Sequence, residues 1–223
     1  MLISHNHKLL FVHLQKTGGE TVSKLLAETV PDLDRLEPKH KFARQGREEV
    51  RGWDEYFKFA FVRNPWDRLV SWYSMIRNAA IMYRVHRTPT NRRQESHIRQ
   101  VRQNRLWRYV LDNSSTFEEF IYNCTDDIAM GEGVAYSFTY NQLDYVTDSN
   151  GRLLVDFIGR FESFETDLRK VFRILGVEPE LVPWENRSSH AHYSLFYTAE
   201  TKKIVSERFK RDIEYFGYEF EYV

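Results

Sequence analysis

A chain of 223 residues with 32 basic and 32 acidic side chains carries no net charge, so no overall field draws it to DNA or RNA, and no nucleic-acid partner is expected. Its apolar content of 42% and aromatic content of 15% suffice for a packed core and exclude disorder, and the length suits a single domain over 1–223. The lone Cys124 permits no internal disulfide, fits a reducing compartment and reads as a small buried thiol.

The first apolar run starts within ten residues of Met1, leaving no room for a signal peptide or anchor, and no later run approaches the ~20 apolar residues of a bilayer span. A soluble, cytoplasmic protein with no membrane span is expected. Leu9 to Leu14 is β-rich and apolar, as in a strand buried in a parallel sheet. It ends in Gln15-Lys-Thr-Gly-Gly-Glu-Thr21, after which Val22, Leu25 and Leu26 recur at helical spacing. The glycines therefore mark a strand-to-helix turn, whose amide groups and helix dipole favour a phosphate or sulfate. Lys16 adds a mobile positive charge. Nucleotide hydrolases place Gly-Lys-Ser/Thr at the end of a longer glycine loop, whereas here the lysine comes first.

A second strand, Phe57 to Val62, ends in Arg63-Asn-Pro65 rather than in an aspartate able to hold magnesium. This points to a second anion site. Pro65 suits the first turn of the next helix, on which Ser71 can add a hydroxyl. Thr116 with Glu119 forms a capping box for a short helix through Asn123. Arg152 to Ile158 reads as a strand, Ser163 can cap a helix ending at Gly176, and a last helix runs from about Ala199 to Phe216 between Thr198 and Gly217. Alternating strands and helices with short links predict an α/β fold: a three-layer sandwich around a central, mainly parallel sheet. Residues 77–150 form a mainly helical segment on the acceptor side.

Two anion sites at the carboxyl ends of adjacent strands suit a nucleotide with two separated phosphates. QKTGGET followed by FAFVRNPWDRLVSWY resembles the sulfotransferases that use 3'-phosphoadenosine 5'-phosphosulfate (PAPS), with greatest likeness to the carbohydrate branch. The first motif is similar to the QKTGGT loop of heparan sulfate 6-O-sulfotransferases. The second is similar to their 3'-phosphate motif, with Arg63 and Ser71 eight residues apart. Asp156-Phe-Ile-Gly-Arg-Phe-Glu162 and Asp212-Ile-Glu-Tyr-Phe-Gly-Tyr-Glu-Phe220 resemble segments of bacterial members. Glu20 departs from the pattern, standing where the family has threonine or serine; it is expected to point away from a bound sulfonate.

The resemblance implies a P-loop-like sulfotransferase fold and sulfonate transfer from PAPS to a hydroxyl of a carbohydrate or glycoconjugate, with no metal. Thr17, Gly18, Gly19 and Thr21 then hold the 5'-phosphate, and Lys16 steadies the leaving phosphate. Arg63 and Ser71 hold the 3'-phosphate, for which a planar guanidinium fork is suited. Arg187, Ser188 and Ser189 lie in a segment that covers the cofactor in relatives. His40, in a loop that resembles the histidine-bearing loop of the 6-O-sulfotransferases, is the expected base; the bland alternative is a solvated side chain. An atypical phosphotransferase and a noncatalytic nucleotide- or glycan-binding module remain as alternatives.

Other residues carry weaker signals. His13 reads as a packed core histidine. His190 and His192 are spaced as metal ligands, but no third ligand is evident. Asp67 and Arg68 read as surface or supporting groups. Between Arg77 and Arg108 stand nine arginines and one acid, Glu95: either a basic wall for an acidic acceptor or a solvated helix face. Trp72, Tyr73, Tyr83 and Trp107 can stack on sugar rings, though core packing is the ordinary role of such aromatics.

Overall fold

The computed structural model describes residues 1–85, 92–126, 138–177 and 190–223; Arg187, Ser188 and Ser189 lie outside them, as does part of the 77–150 segment. Among the described residues the strands are β1 (Leu2–Ser4), β2 (Leu9–Val12), β3 (Asp34–Arg35), β4 (Phe57–Val62) and β5 (Phe157–Arg160). The helices are α1 (Gly19–Thr29), α2 (Ala43–Glu49), α3 (Pro65–Val85), α4 (Arg92–Gln103), α5 (Arg105–Asn113), α6 (Phe117–Cys124), α7 (Gln142–Val146), α8 (Phe164–Ile174), α9 (Ala199–Arg208) and α10 (Lys210–Phe216). They fall into two compact units, one of Met1–Asn64 with Asn141–Ser189, the other of Pro65–Tyr140 with His190–Val223.

The first unit holds the sheet, in the order β3-β1-β2-β4-β5. Strands β2, β4 and β5 are parallel, with Phe11 opposite Phe59 and Phe61 opposite Gly159. Strand β1 is antiparallel to both β2 and β3, so the sheet is evenly mixed where a mainly parallel one was expected. The cause is local. Only His5–Lys8 separates β1 from β2, enough for a hairpin but far short of the dozen or so residues that a parallel crossover requires.

Side chains alternate along a strand, which puts Leu9 and Phe11 of β2 and Phe59 and Phe61 of β4 on one face. There they join Val22, Leu25 and Leu26 of α1 and Phe164, Leu168, Val171 and Phe172 of α8 in one core. Phe11 stacks on Phe59 at 4.9 Å, and Phe61 meets Phe164 at 5.0 Å. Each such ring contributes about 2–3 kcal/mol by leaving water. Leu10, Val12, Ala60 and Val62, on the opposite face, are fully buried too, which is why these strands read as unbroken apolar runs.

The strand expected over Arg152–Ile158 begins later, at Phe157. Asp156 intervenes: its carboxylate accepts from the Lys58 amide at 2.7 Å and pairs with the Lys58 ammonium at 2.9 Å, and its own amide donates to the Lys58 carbonyl at 2.7 Å. This clamp sets where β5 joins β4. Leu153 forms an isolated bridge with Thr147 instead. Ser163 precedes α8 without capping it; its hydroxyl donates to Asp167 at 2.7 Å.

In the second unit the expected capping box opens α6, with the Glu119 amide donating to the Thr116 hydroxyl at 3.1 Å. The single terminal helix read from the sequence is two, α9 and α10, because Phe209 (φ −108°, ψ 25°) leaves the helical range while keeping its ring buried. Thr198 caps α9, and Gly217 ends α10 at φ +64°. Trp72 and Trp107 are core residues, Trp72 packing edge-on against Phe138 at 5.7 Å. Tyr73 donates to the Ser115 carbonyl at 3.1 Å, and Tyr83 accepts from Arg102 at 3.2 Å. Of the two readings of Arg68, surface or supporting group, burial excludes the first: it is 1% exposed and donates to the Tyr140 carbonyl at 3.2 Å. Cys124 is buried, with its thiol pushed up to about 11 by burial. Among the described residues no helix is long and apolar enough to cross a membrane.

Candidate active site

The turn between β2 and α1 is built on two left-handed residues, Lys16 (φ +67°) and Gly18 (φ +85°). For lysine this conformation is costly, on the order of 1–2 kcal/mol. The Thr17 hydroxyl holds the turn by donating to the Leu14 carbonyl at 3.0 Å, so Thr17 has its amide rather than its hydroxyl to offer an anion. The glycines answer to the protein's own packing as well. A Cβ at Gly18 would lie 2.5 Å from the Phe164 ring, and one at Gly19 only 2.1 Å from His13 Nε2. With no side chains there, the Gly18, Gly19 and Glu20 amides that open α1, for which a helix supplies no acceptor, lie next to the turn, while Thr21 N donates to Gly18 O at 3.0 Å. This surface fits a phosphate or sulfonate group. The Glu20 side chain is 62% exposed and ion-paired with Lys39, which offsets its charge beside the turn.

His40 is joined to the same construction through His13. Its Nδ1 donates to the His13 carbonyl at 2.8 Å, which makes Nε2 the basic nitrogen of the neutral ring. The two imidazoles meet edge to face at 4.7 Å. Burial lowers the pKa of His40 to about 4; the His13 carbonyl opposes the shift, while Lys39 and the Met1 amino group add to it. His13, 3% exposed, is held well below the usual histidine range by burial, then by the proximity of His40 and Lys39. Both rings are therefore neutral near pH 7. His13 thus packs in the core as expected, yet it also spans the distance between Gly19 and His40.

Arg63 closes the construction from β4. It is 3% exposed, its Nη1 donates to the Lys16 carbonyl at 3.3 Å, and its guanidinium lies 4.0 Å above the Phe161 ring. The backbone beside it is anchored by Gln142, whose amide accepts from Arg63 N at 2.8 Å and donates to Arg63 O at 2.8 Å. Next along, Asn64 N donates to the Glu162 carboxylate at 2.6 Å. Gln142, Phe161 and Glu162 are supporting residues that sequence reasoning did not assign. Phe161 and Glu162 lie in a motif singled out above, but nothing near Gln142 in the chain marks it.

The family model described as "Sulfotransferase family" matches residues 1–219. The chain belongs to the sulfotransferase family. It is similar to carbohydrate sulfotransferase 10 of Pongo abelii and of Homo sapiens, in each case 23% identical over 251 residues that cover 98% of this chain and 67% of the relative. The Rattus norvegicus protein of the same name is 24% identical over 256 residues, again 98% of this chain and 67% of the relative. No solved structure matches at comparable significance. The protein is a sulfotransferase, an enzyme of sulfate transfer and PAPS-dependent by family.

Not every expected site residue of the sulfotransferase falls in the first unit. Thr21 does, buried in the first turn of α1, but Ser71 belongs to the second, buried on α3. His190 and His192 are engaged locally: His190 Nδ1 donates to the Ala191 carbonyl at 2.8 Å, and His192 Nδ1 bonds the Ser194 hydroxyl at 2.9 Å. Asp67 Oδ1 is 3.8 Å from His190 Nε2.

Proposed function

We propose that this sulfotransferase moves the sulfonate of PAPS to a hydroxyl of a carbohydrate or glycoconjugate. The observation that carries this reading is the three-way junction of the first unit: Arg63 rests on the carbonyl of Lys16, and His13 touches both Gly19 and His40. An anion turn, a second cation and a neutral imidazole thus share one framework. PAPS supplies an activated sulfonate on a good leaving group. The amides of Thr17, Gly18 and Gly19 and the hydroxyl of Thr21 hold the 5'-phosphate. Lys16 balances the charge that builds on the bridging oxygen as the sulfur–oxygen bond to that phosphate breaks. The acceptor oxygen forms the new bond to sulfur in line, and its proton passes to His40 Nε2.

Arg63 is assigned to the 3'-phosphate, with Ser71 added on the strength of the sequence motif; Arg187, Ser188 and Ser189 are assigned to the nucleotide on the same ground. The strand–turn–helix of β2 and α1 is the part of the fold that supports a P-loop-like description. No step needs a metal. The saccharide acceptor follows from what the relatives' name says of them. In the second unit Arg84, Arg99, Arg102, Arg105 and Arg108 are exposed, which fits a basic wall for an acidic acceptor and a solvated helix face alike.

Replacing His40 tests the chemistry. His40→Ala is expected to lower turnover by about 10²–10⁴ while 3'-phosphoadenosine 5'-phosphate still binds. Turnover that survives unchanged removes His40 from the mechanism. Binding of PAPS without transfer to any of a broad acceptor panel favours a noncatalytic module.

A further inference from the structure

We propose that His13 is a positioning residue for His40: its main-chain carbonyl fixes the His40 tautomer, and its imidazole shields one side of the half-buried His40 ring from water. The proposal rests on the reading of His40 as the base. A free neutral histidine carries its proton on either nitrogen, and only the nitrogen without it can accept another. Here the 2.8 Å bond to the His13 carbonyl holds the proton on Nδ1 and commits Nε2 to the accepting role.

The His13 side chain is as constrained as its backbone. Its ring stacks on Phe11 at 5.3 Å and 24°, meets His40 edge-on at 4.7 Å, and leaves no room for a Cβ on Gly19. Residue 13 therefore ties the strand end, the anion turn and the base together.

The charges around the pair favour the neutral form of both rings. Lys39 disfavours a second proton on either ring and Arg35 one on His13, while the His13 carbonyl and Glu20 favour one on His40. An imidazolium formed on His40 during transfer thus faces a neutral wall rather than a second cation. A purely packing role for His13 would need none of this: it predicts loss of stability on substitution but no change in how His40 titrates.

Histidine NMR separates the two. In the wild-type protein, long-range proton–nitrogen correlations are expected to show His40 in the Nδ1–H form, titrating near 4. His13→Phe keeps a ring against Phe11 and is expected to leave that titration low. His13→Ala opens the wall and is expected to move it up by about one unit or more, toward the ordinary histidine value. An Nε2–H tautomer in the wild type overturns the carbonyl half of the proposal without recourse to any variant. An unmoved His40 in folded His13→Ala, or an upward shift in His13→Phe, overturns the wall. The acid limb of kcat/KM is expected to follow the His40 titration. If the NMR titration moves and the acid limb does not, His40 is not the base, and that reading fails while the structural coupling of His13 to His40 stands.

Discussion

The guanidinium of Arg63 lies 3.3 Å from the carbonyl oxygen of Lys16, so the end of one parallel strand holds the turn that follows its neighbour. That link gives Arg63 two separable duties. It supports the turn that receives the 5'-phosphate, and it is assigned to the 3'-phosphate.

Arg63→Ala accordingly weakens nucleotide binding in two amounts. Loss of turn support acts on any 5'-phosphate, whereas loss of the guanidinium acts only where a 3'-phosphate is present. Calorimetry is expected to show 3'-phosphoadenosine 5'-phosphate losing at least about tenfold more affinity than adenosine 5'-phosphate, or ~1.4 kcal/mol. Equal losses for the two nucleotides confine Arg63 to the supporting duty. Arg63→Lys keeps the charge without the fork or the stack on Phe161 and is expected to recover only part of the difference.

Gly18→Ala and Gly19→Ala damage the turn by different routes. The first forces a side chain into a left-handed residue and against Phe164; the second drives a methyl group into the His13 ring. Each is expected to cost about 1–3 kcal/mol, read as a lower urea midpoint. The second is expected also to disturb His40. A Gly19→Ala protein with wild-type stability and turnover contradicts the contact between His13 and Gly19.

Gln142 is expected to matter out of proportion to its distance from any ligand. Gln142→Leu leaves the amide and carbonyl of Arg63 buried without their partners, at a cost of about 2–4 kcal/mol. Urea unfolding measures this directly, and a loss below about 0.5 kcal/mol shows that the two groups find other partners.

Acid destabilisation follows from His40. Its folded-state pKa of about 4 lies below the unfolded value near 6.5, so the unfolded chain takes up a proton first as the pH drops. Its share of stability is complete above 6.5 and is lost as the pH falls through that window toward 4, by an amount on the order of 2–3 kcal/mol. His40→Asn is expected to flatten the fall in urea midpoint between pH 7 and pH 4.5. Parallel pH profiles for the two proteins contradict a half-buried histidine that is neutral down to about pH 4.

Much of this arrangement is legible in the chain wherever its cause is local. Phe57–Val62 appears as a strand with the bounds read from its apolar run, Pro65 opens α3, and the Thr116–Glu119 box opens α6. The Lys16–Gly19 turn can be read because glycine and a polar break interrupt strong apolar patterns. Strands β1 and β3 are three and two residues long, too short to carry a period, and their pairing made the sheet mixed. The break at Phe209 is hidden because an aromatic residue fits both a continuous helix and a kink with its ring buried. Arg68 could be read as either a surface or a supporting group because its acceptor, Tyr140, is remote in sequence. Gln142 is silent for the same reason. Local chemistry thus marked Lys16, the glycine turn and Arg63, the family resemblance added His40, Arg187, Ser188 and Ser189, and the roles of Gln142, Phe161 and Glu162 in holding Arg63 and Asn64 emerge in the fold.

Calorimetric titration with 3'-phosphoadenosine 5'-phosphate, run beside magnesium ATP and adenosine 5'-phosphate, decides whether the protein holds a PAPS site. Tight, metal-independent binding that depends on the 3'-phosphate is expected. No binding, or a preference for magnesium ATP, contradicts the proposed PAPS site and favours phosphoryl transfer at an unusual P-loop.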